Sequence, residues 1–316
     1  MADQRPISDA WLAWITSSLL RNRPQDEIAG VLVEQGLSAE EARTRVAEIA
    51  DSPGLDAVEA AIGPVRRAAL LRRSVLRNGS RELCRILPDP QLYLNGFAAA
   101  QTPVVIEGIT RPWLVLNLTW QSLRERFGAE TVTALTGRLG VTGNPDLEWE
   151  EHRTELTFSE LLDQVLDPET GNDTYVTARC KLSEGPLKPL RADLTVPSQF
   201  LTEADGGTAF IVGPAGAETQ LHFDISTTLL CQLVGRKRVW LVPPEEDVTS
   251  TQLYWADPVD LDDPSLAVRE VVMEPGDALS IPAGWWHRTL AEEPCFTVTL
   301  SNVRQANNRH DWFVDR

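Results

Sequence analysis

Residues 218–244 read ETQLHFDISTTLLCQLVGRKRVWLVPP, and residues 274–302 read EPGDALSIPAGWWHRTLAEEPCFTVTLSN. In an extended strand, side chains two apart point to the same side, so His222 and Asp224 project together. His287 follows 65 positions after His222, in a second strand-like run. Two imidazoles and one carboxylate make a facial triad that leaves three coordination positions open, the arrangement of non-haem Fe(II) oxygenases. A lone His-x-Asp is weak, since either residue can cap a turn or sit in solvent. Here the chain has only 4 histidines, and two of them fall in these segments. His152 and His310 are expected to be dispensable.

The context carries more than the triad. The strand FIVG, the run LHFD, the hairpin LLCQLVGRKRVWLVPP, the turn PGD and the run IPAGWWH resemble the Jumonji-C family of Fe(II)/2-oxoglutarate oxygenases. Within that family they resemble the asparaginyl-hydroxylase-like (factor-inhibiting-HIF type) protein hydroxylases. The resemblance is dense over about 207–304 and thinner over about 100–180, where QTPVVIEGITRPW and WQSLRERFG look like the lead-in. It does not cover residues 1–90. It implies Fe(II) on His222, Asp224 and His287, with 2-oxoglutarate and O2 as cosubstrates. It also implies that Lys237, fifteen residues after His222, pairs with the distal carboxylate of 2-oxoglutarate. A buried dicarboxylate needs a fixed cation and hydroxyl donors. Lysines number three against 26 arginines, so a lysine at that offset is not compositional noise. The same resemblance matches Thr219 and Tyr175 to hydroxyls on that carboxylate, and Asn302 to an asparagine near the metal and the 2-oxoglutarate C1 end. One position departs. Thr228 stands where the asparaginyl hydroxylases have an asparagine, so substrate choice does not transfer with the rest.

The implied activity is hydroxylation of a peptide or protein side chain, with release of succinate and CO2. The same chemistry on a small metabolite, or demethylation of N-methyl lysine, is the alternative. A non-enzymatic cupin binding protein is the third reading, and the complete ligand set with Lys237 weighs against it. Asp224 also argues against a halogenase, which leaves that ligand position open for chloride.

After residue 205 the chain reads almost entirely as strand: TAFIVG, AETQLHFD, LLCQLVG, RVWLVPP, EVVMEPGD, ALSIP, WHRTLA and CFTVTLSN. The links VGRK, EPGD and AEEP carry hairpin turn formers. Short, evenly spaced strands predict a mainly β double-stranded β-helix, the jelly roll of the cupin and Jumonji-C type. Trp285 and Trp286 read as core and rim packing. Upstream, TPVVIEG and NDTYVTARC read as strands, WQSLRERFG and FSELLDQVLDP as short helices.

Residues 1–90 read as a helical region and 91–316 as the catalytic domain. Ser38 with Glu41 forms a capping-box signature, and LDAVEAAIGPVRRAALLRRSVLRNG reads as a long helix interrupted near Gly63-Pro64. Its arginines, from Arg66 to Arg85, predict a solvated basic face, with partner docking as the other use. The region is expected either to dock a peptide partner or to pair two protomers as a homodimer.

Net charge is −17, and residues 91–316 alone hold 17 basic against 33 acidic residues. So acidic a catalytic part argues against nucleic acid or an anionic membrane as partner and suits a peptide or protein substrate. No apolar run approaches a spanning length. The opening MADQRPISDAW lacks signal-peptide character, and Cys84, Cys180, Cys231 and Cys295 show no C-x-x-C spacing. A cytoplasmic, reducing location is therefore expected, which also suits iron held as Fe(II).

Overall fold

The computed structural model describes residues 8–21, 23–114, 118–177, 180–182, 184–194, 199–201, 208–250, 254–301 and 303. It divides into two compact units, Met1–Ser74 and Val75–Arg316.

In the first unit, α1 (Asp9–Leu20), α2 (Gln25–Glu34) and α3 (Ala39–Ala50) close around Ile15, Ile28, Leu32, Ala42 and Val46. Ser8 and Ser38 cap α1 and α3, each side chain accepting a backbone N–H three residues on. The helix α4 (Pro53–Arg77) runs on through Pro64, where the sequence predicts an interruption. A proline already set near helical φ removes one backbone donor, and the helix continues past that single loss.

The second unit is β-rich. Its strands are β1 (Arg85–Ile86), β2 (Val104–Ile106), β3 (Thr131–Leu135), β4 (Arg153–Thr157), β5 (Thr208–Gly213), β6 (Glu218–Phe223), β7 (Thr228–Val234), β8 (Lys237–Val242), β9 (Arg269–Met273), β10 (Ala278–Ile281), β11 (Trp286–Ala291) and β12 (Cys295–Leu300). One sheet has the order β1-β2-β10-β7-β12-β5, the other β6-β11-β8-β9, and β3 pairs with β4. The eight strands expected after residue 205 are present as β5–β12. The run NDTYVTARC contributes only isolated bridges, Leu135 with Tyr175 and Val176 with Val212. The result is a mainly β jelly roll.

Burial explains the strand patterns. The central strand β7 is buried on both faces: Leu230 belongs to a hydrophobic cluster with Val239 and Leu241 of the other sheet, and Leu229, Cys231 and Leu233 to one with Trp113, Phe158 and Leu162. Such strands read as continuous apolar runs. β8 alternates instead: Lys237, Val239 and Leu241 are buried while Arg238 and Trp240 are half-buried. Gly235 turns the β7–β8 hairpin at φ +71, and a Cβ there would meet Pro294 O at 2.1 Å, so only glycine fits. The helices Trp120–Phe127 and Phe158–Leu166 each open on a threonine in a full capping box, Thr119 with Ser122 and Thr157 with Glu160. Among the described residues no helix is long and apolar enough to cross a membrane.

The structural division falls at Ser74/Val75, earlier than the sequence boundary near 90. The reason lies in residues 77–86. β1 pairs in parallel with β2, and Glu82 bridges Glu270. Arg77 pairs with the buried Glu246 at 2.8 Å, Arg85 with Asp277 at 2.9 Å, and Arg81 reaches Asp262 at 3.9 Å. These three arginines of the expected basic face are thus engaged inside the second unit. A two-residue strand gives no periodicity for a sequence reading to detect.

Candidate active site

His222 on β6 and His287 on β11 are direct register partners in adjacent antiparallel strands. Their ring centroids lie 4.1 Å apart. Asp224 follows immediately after β6, its Oδ2 3.9 Å from His287 Nε2. One ligand atom from each of the three lies within 4.8 Å of the others. Both imidazoles are oriented in the same way. His222 Nδ1 donates to Gln220 O at 2.8 Å, and His287 Nδ1 donates to Trp285 O at 3.1 Å. A carbonyl can only accept, so each ring carries its proton at Nδ1 and leaves the Nε2 lone pair for a metal. The register shifts between His287 and Thr289, a bulge of the kind that re-aims side chains beside sites. Neutral nitrogens and one carboxylate suit Fe(II), and the donor set therefore fits the ion.

Burial pushes His287 down to about 4, with His222 adding to the effect and Asp224 opposing it. The ring is thus held in its ligand form. Between about 6.5 and about 4 the unfolded chain takes up a proton that the folded chain refuses, so stability of metal-free protein falls as pH drops through that window. Denaturant midpoints of chelator-treated protein across that window should show it, and His287→Leu should flatten the slope. An equal slope in that variant contradicts a buried neutral His287.

Asp224 is positioned by its neighbours. Thr228 Oγ1 donates to Asp224 Oδ2 at 3.2 Å, and Gly284 N donates to the Asp224 main-chain oxygen at 2.9 Å. The residue that departs from the asparaginyl-hydroxylase pattern therefore braces a ligand here. Thr228→Val is expected to weaken Mn(II) binding by about ten- to a hundredfold, while Thr228→Ser keeps it. A calorimetric titration with Mn(II) measures this, and unchanged affinity in the valine variant rules out the bracing role.

The residues matched to 2-oxoglutarate are grouped beyond the triad. Tyr175 Oη lies 2.9 Å from Thr219 Oγ1, and Thr219 faces Thr289 across the β6–β11 ladder. On β8, Leu241, Val239 and Lys237 register with His287, Thr289 and Ala291, which sets Lys237 at the far end of the same inward-facing row. Lys237 is 1% exposed, and among the described residues no carboxylate lies within ion-pair reach of its ammonium. A buried cation without a counterion calls for an anionic ligand. Asn302 lies outside the described residues, as does His310. His152 is apart from the triad, its Nδ1 at 3.0 Å from Thr136 O. Trp285 is core, with Nε1 donating to Gln101 O at 2.9 Å, and Trp286 packs edge-on against Phe223.

A cavity of about 240 Å³ opens at the triad, lined from both sheets by Ile211, Thr219, Thr228, Leu230, Ile281 and Thr289. Two tryptophans that the sequence reading passed over also line it. Trp255 stacks on His222 with centroids 4.8 Å apart, and Trp149 comes from the segment between β3 and β4. That segment is tied down by Asp146, whose carboxylate meets the fully buried Arg138 guanidinium at 2.8 Å. Arg138 in turn donates to Glu218 O on β6 at 2.8 Å.

A family model for the cupin-like domain matches residues 90–301, more than half of the chain, and the chain belongs to that family. Lysine-specific demethylase 8 of Xenopus tropicalis is 28% identical over 234 residues, 67% of this chain and 51% of that protein. The Danio rerio protein of the same name is 28% identical over 245 residues, 71% of this chain and 59% of that protein. The tRNA wybutosine-synthesizing protein 5 of Danio rerio is 35% identical over 115 residues, 32% of this chain and 34% of that protein. The chain spans about half the length of the demethylases it matches. These names support a cupin-like Jumonji-C domain and do not single out the asparaginyl-hydroxylase branch. Jumonji-C enzymes use Fe(II) and 2-oxoglutarate, and the His222–Asp224–His287 cluster fits that cofactor pair.

Proposed function

We propose that this chain is an Fe(II)/2-oxoglutarate-dependent oxygenase that hydroxylates a side chain of a peptide or protein. The observation that carries the reading is the triad cluster with Lys237 on the same sheet face, buried and without a carboxylate partner among the described residues. His222, Asp224 and His287 would hold the iron. Lys237, with the hydroxyls of Tyr175 and Thr219, would hold the distal carboxylate of 2-oxoglutarate. Iron and 2-oxoglutarate together would supply the electrons that activate O2, the 2-oxoglutarate leaving as succinate and CO2. The protein's part is to orient the reactants and keep the cavity dry. The apolar walls at Ile211, Leu230 and Ile281 serve the second task.

A second reading has specific support. Two of the relatives are named lysine-specific demethylases, and hydroxylation of an N-methyl carbon leads to its loss as formaldehyde. The name of the wybutosine relative points to tRNA instead. A net charge of −17 opposes a polyanionic substrate. Iron-loaded protein incubated with candidate peptides and 2-oxoglutarate separates these readings. Hydroxylation adds one oxygen to the peptide and releases no formaldehyde, whereas demethylation releases formaldehyde stoichiometrically. Failure of the folded, iron-loaded protein to consume 2-oxoglutarate under any of these conditions defeats both.

A further inference from the structure

The hydroxyl of Tyr175 can serve a bound carboxylate only if its ring is fixed, because a phenol turns about its side-chain bonds. The fold fixes it in several ways. The backbone of Tyr175 exchanges both hydrogen bonds with Leu135, each 2.9 Å long. Gly213 on β5 leaves the ring its space, since a Cβ there would stand 2.7 Å from Tyr175 Cδ2. The guanidinium carbon of Arg138 lies 5.1 Å from the ring centroid, within cation–π range.

Arg138 is itself held from several directions, and its side chain is wholly buried. Nη1 donates to Asp146 Oδ1 at 2.8 Å, Nη2 to Glu218 O at 2.8 Å, and Nε to Asn172 O at 3.2 Å. Asn172 closes the circuit, its Oδ1 accepting from Glu218 N at 2.9 Å. One guanidinium thus joins the turn after β3, the segment that leads into Tyr175, and the first residue of β6. Thr219 is the next residue of that strand, and its Oγ1 is the atom 2.9 Å from Tyr175 Oη.

Stability alone does not account for this arrangement. A buried ion pair is seldom a net source of stability, and an apolar pair of similar volume often serves as well. A planar fork with donors in fixed directions is suited instead to setting the relative position of the segments it joins. Among the described residues, the hydrogen bonds of Arg138 go to none of the three metal ligands. What it orders is the Tyr175–Thr219 end of the site.

We propose that Arg138 is a positioning residue for 2-oxoglutarate: anchored by Asp146, it sets the Tyr175 ring and the start of β6 so that the Tyr175 and Thr219 hydroxyls are presented together to the carboxylate that pairs with Lys237. The proposal rests on the oxygenase reading and adds to it the residue that aims the hydroxyl half of the carboxylate site.

The test is calorimetric titration of 2-oxoglutarate into the full-length, Mn(II)-loaded protein, with Mn(II) affinity and a thermal melt recorded for each variant. Arg138→Met combined with Asp146→Leu removes both charges at similar volume and leaves no orphaned carboxylate. This double variant should bind 2-oxoglutarate about tenfold more weakly, the loss of one charge-assisted hydrogen bond, and keep its Mn(II) affinity within about twofold. Tyr175→Phe alone should also cost about tenfold. Added to the double variant it should cost less than about threefold more, because the hydroxyl is by then already misplaced. If the double variant unfolds, Arg138→Lys carries the test: it keeps the charge without the fork, and should show the same selective loss and the same coupling to Tyr175→Phe. Unchanged 2-oxoglutarate affinity, or losses that simply add to that of Tyr175→Phe, overturns the proposal. So does an equal loss of Mn(II) and 2-oxoglutarate affinity, which marks a merely structural role. Mn(II)-loaded wild type that fails to bind 2-oxoglutarate defeats the oxygenase reading itself, whereas binding by wild type and variants alike defeats the role of Arg138 alone.

Discussion

His287→Ala is expected to weaken Mn(II) or Fe(II) binding by about two to three orders of magnitude and to abolish turnover of 2-oxoglutarate. The magnitude follows from dividing the binding energy of a metal site among its few protein ligands. The buried ring, with its Nδ1 proton given to Trp285 O, points a single nitrogen lone pair toward Asp224 and His222, and alanine removes it without a substitute. His152→Ala should leave binding intact, because that ring is engaged with Thr136 O on a separate part of the fold. Calorimetric titration of each variant measures the difference. Full metal binding in His287→Ala contradicts the ligand assignment.

The second large effect is at Lys237. Replacing it with alanine removes the one cation on the inward row of β8, and a bound carboxylate then lies buried without a partner. The expected cost is roughly 3–5 kcal/mol, which is about two to four powers of ten in 2-oxoglutarate affinity. Lys237→Arg should rescue poorly, since a planar five-donor fork demands different room from an ammonium. The space is tight: Lys237 is 1% exposed and its strand neighbours Val239 and Leu241 are fully buried. Metal binding should survive in Lys237→Ala, which separates loss of the cosubstrate from loss of the site. Unchanged 2-oxoglutarate affinity in that variant excludes the role.

Much of this was legible from local pattern, and the exceptions have physical reasons. The strand period pairs His222 with Asp224, although Asp224 falls just past the end of β6, and the eight strands of the jelly roll announced themselves by short, even spacing and turn residues. β7 read as a plain apolar run because both of its faces are covered. Trp255 could not be read in the same way. It reaches His222 through a loop that joins the β6 edge, and nothing near it in sequence signals that approach. Arg138 and Asp146 are eight residues apart yet act on β6, far along the chain, through Glu218 O. The basic stretch from Arg66 to Arg85 looked like one surface by composition. In the fold Arg66 donates to Leu20 O in the first unit, while Arg77, Arg81 and Arg85 pair with acids of the second. Composition reports charge, and the partner of each charge is decided by residues remote in sequence.

On the proposed reading, the chain binds a metal through His222, Asp224 and His287 and then 2-oxoglutarate through Lys237. Titration of 2-oxoglutarate into Mn(II)-loaded and metal-free protein tests it without knowledge of the substrate. The expected result is one 2-oxoglutarate per metal-loaded chain, with binding to metal-free protein and to metal-loaded Lys237→Ala weaker by at least about a hundredfold. Equal binding to the metal-free and metal-loaded forms, or no binding to either, contradicts it.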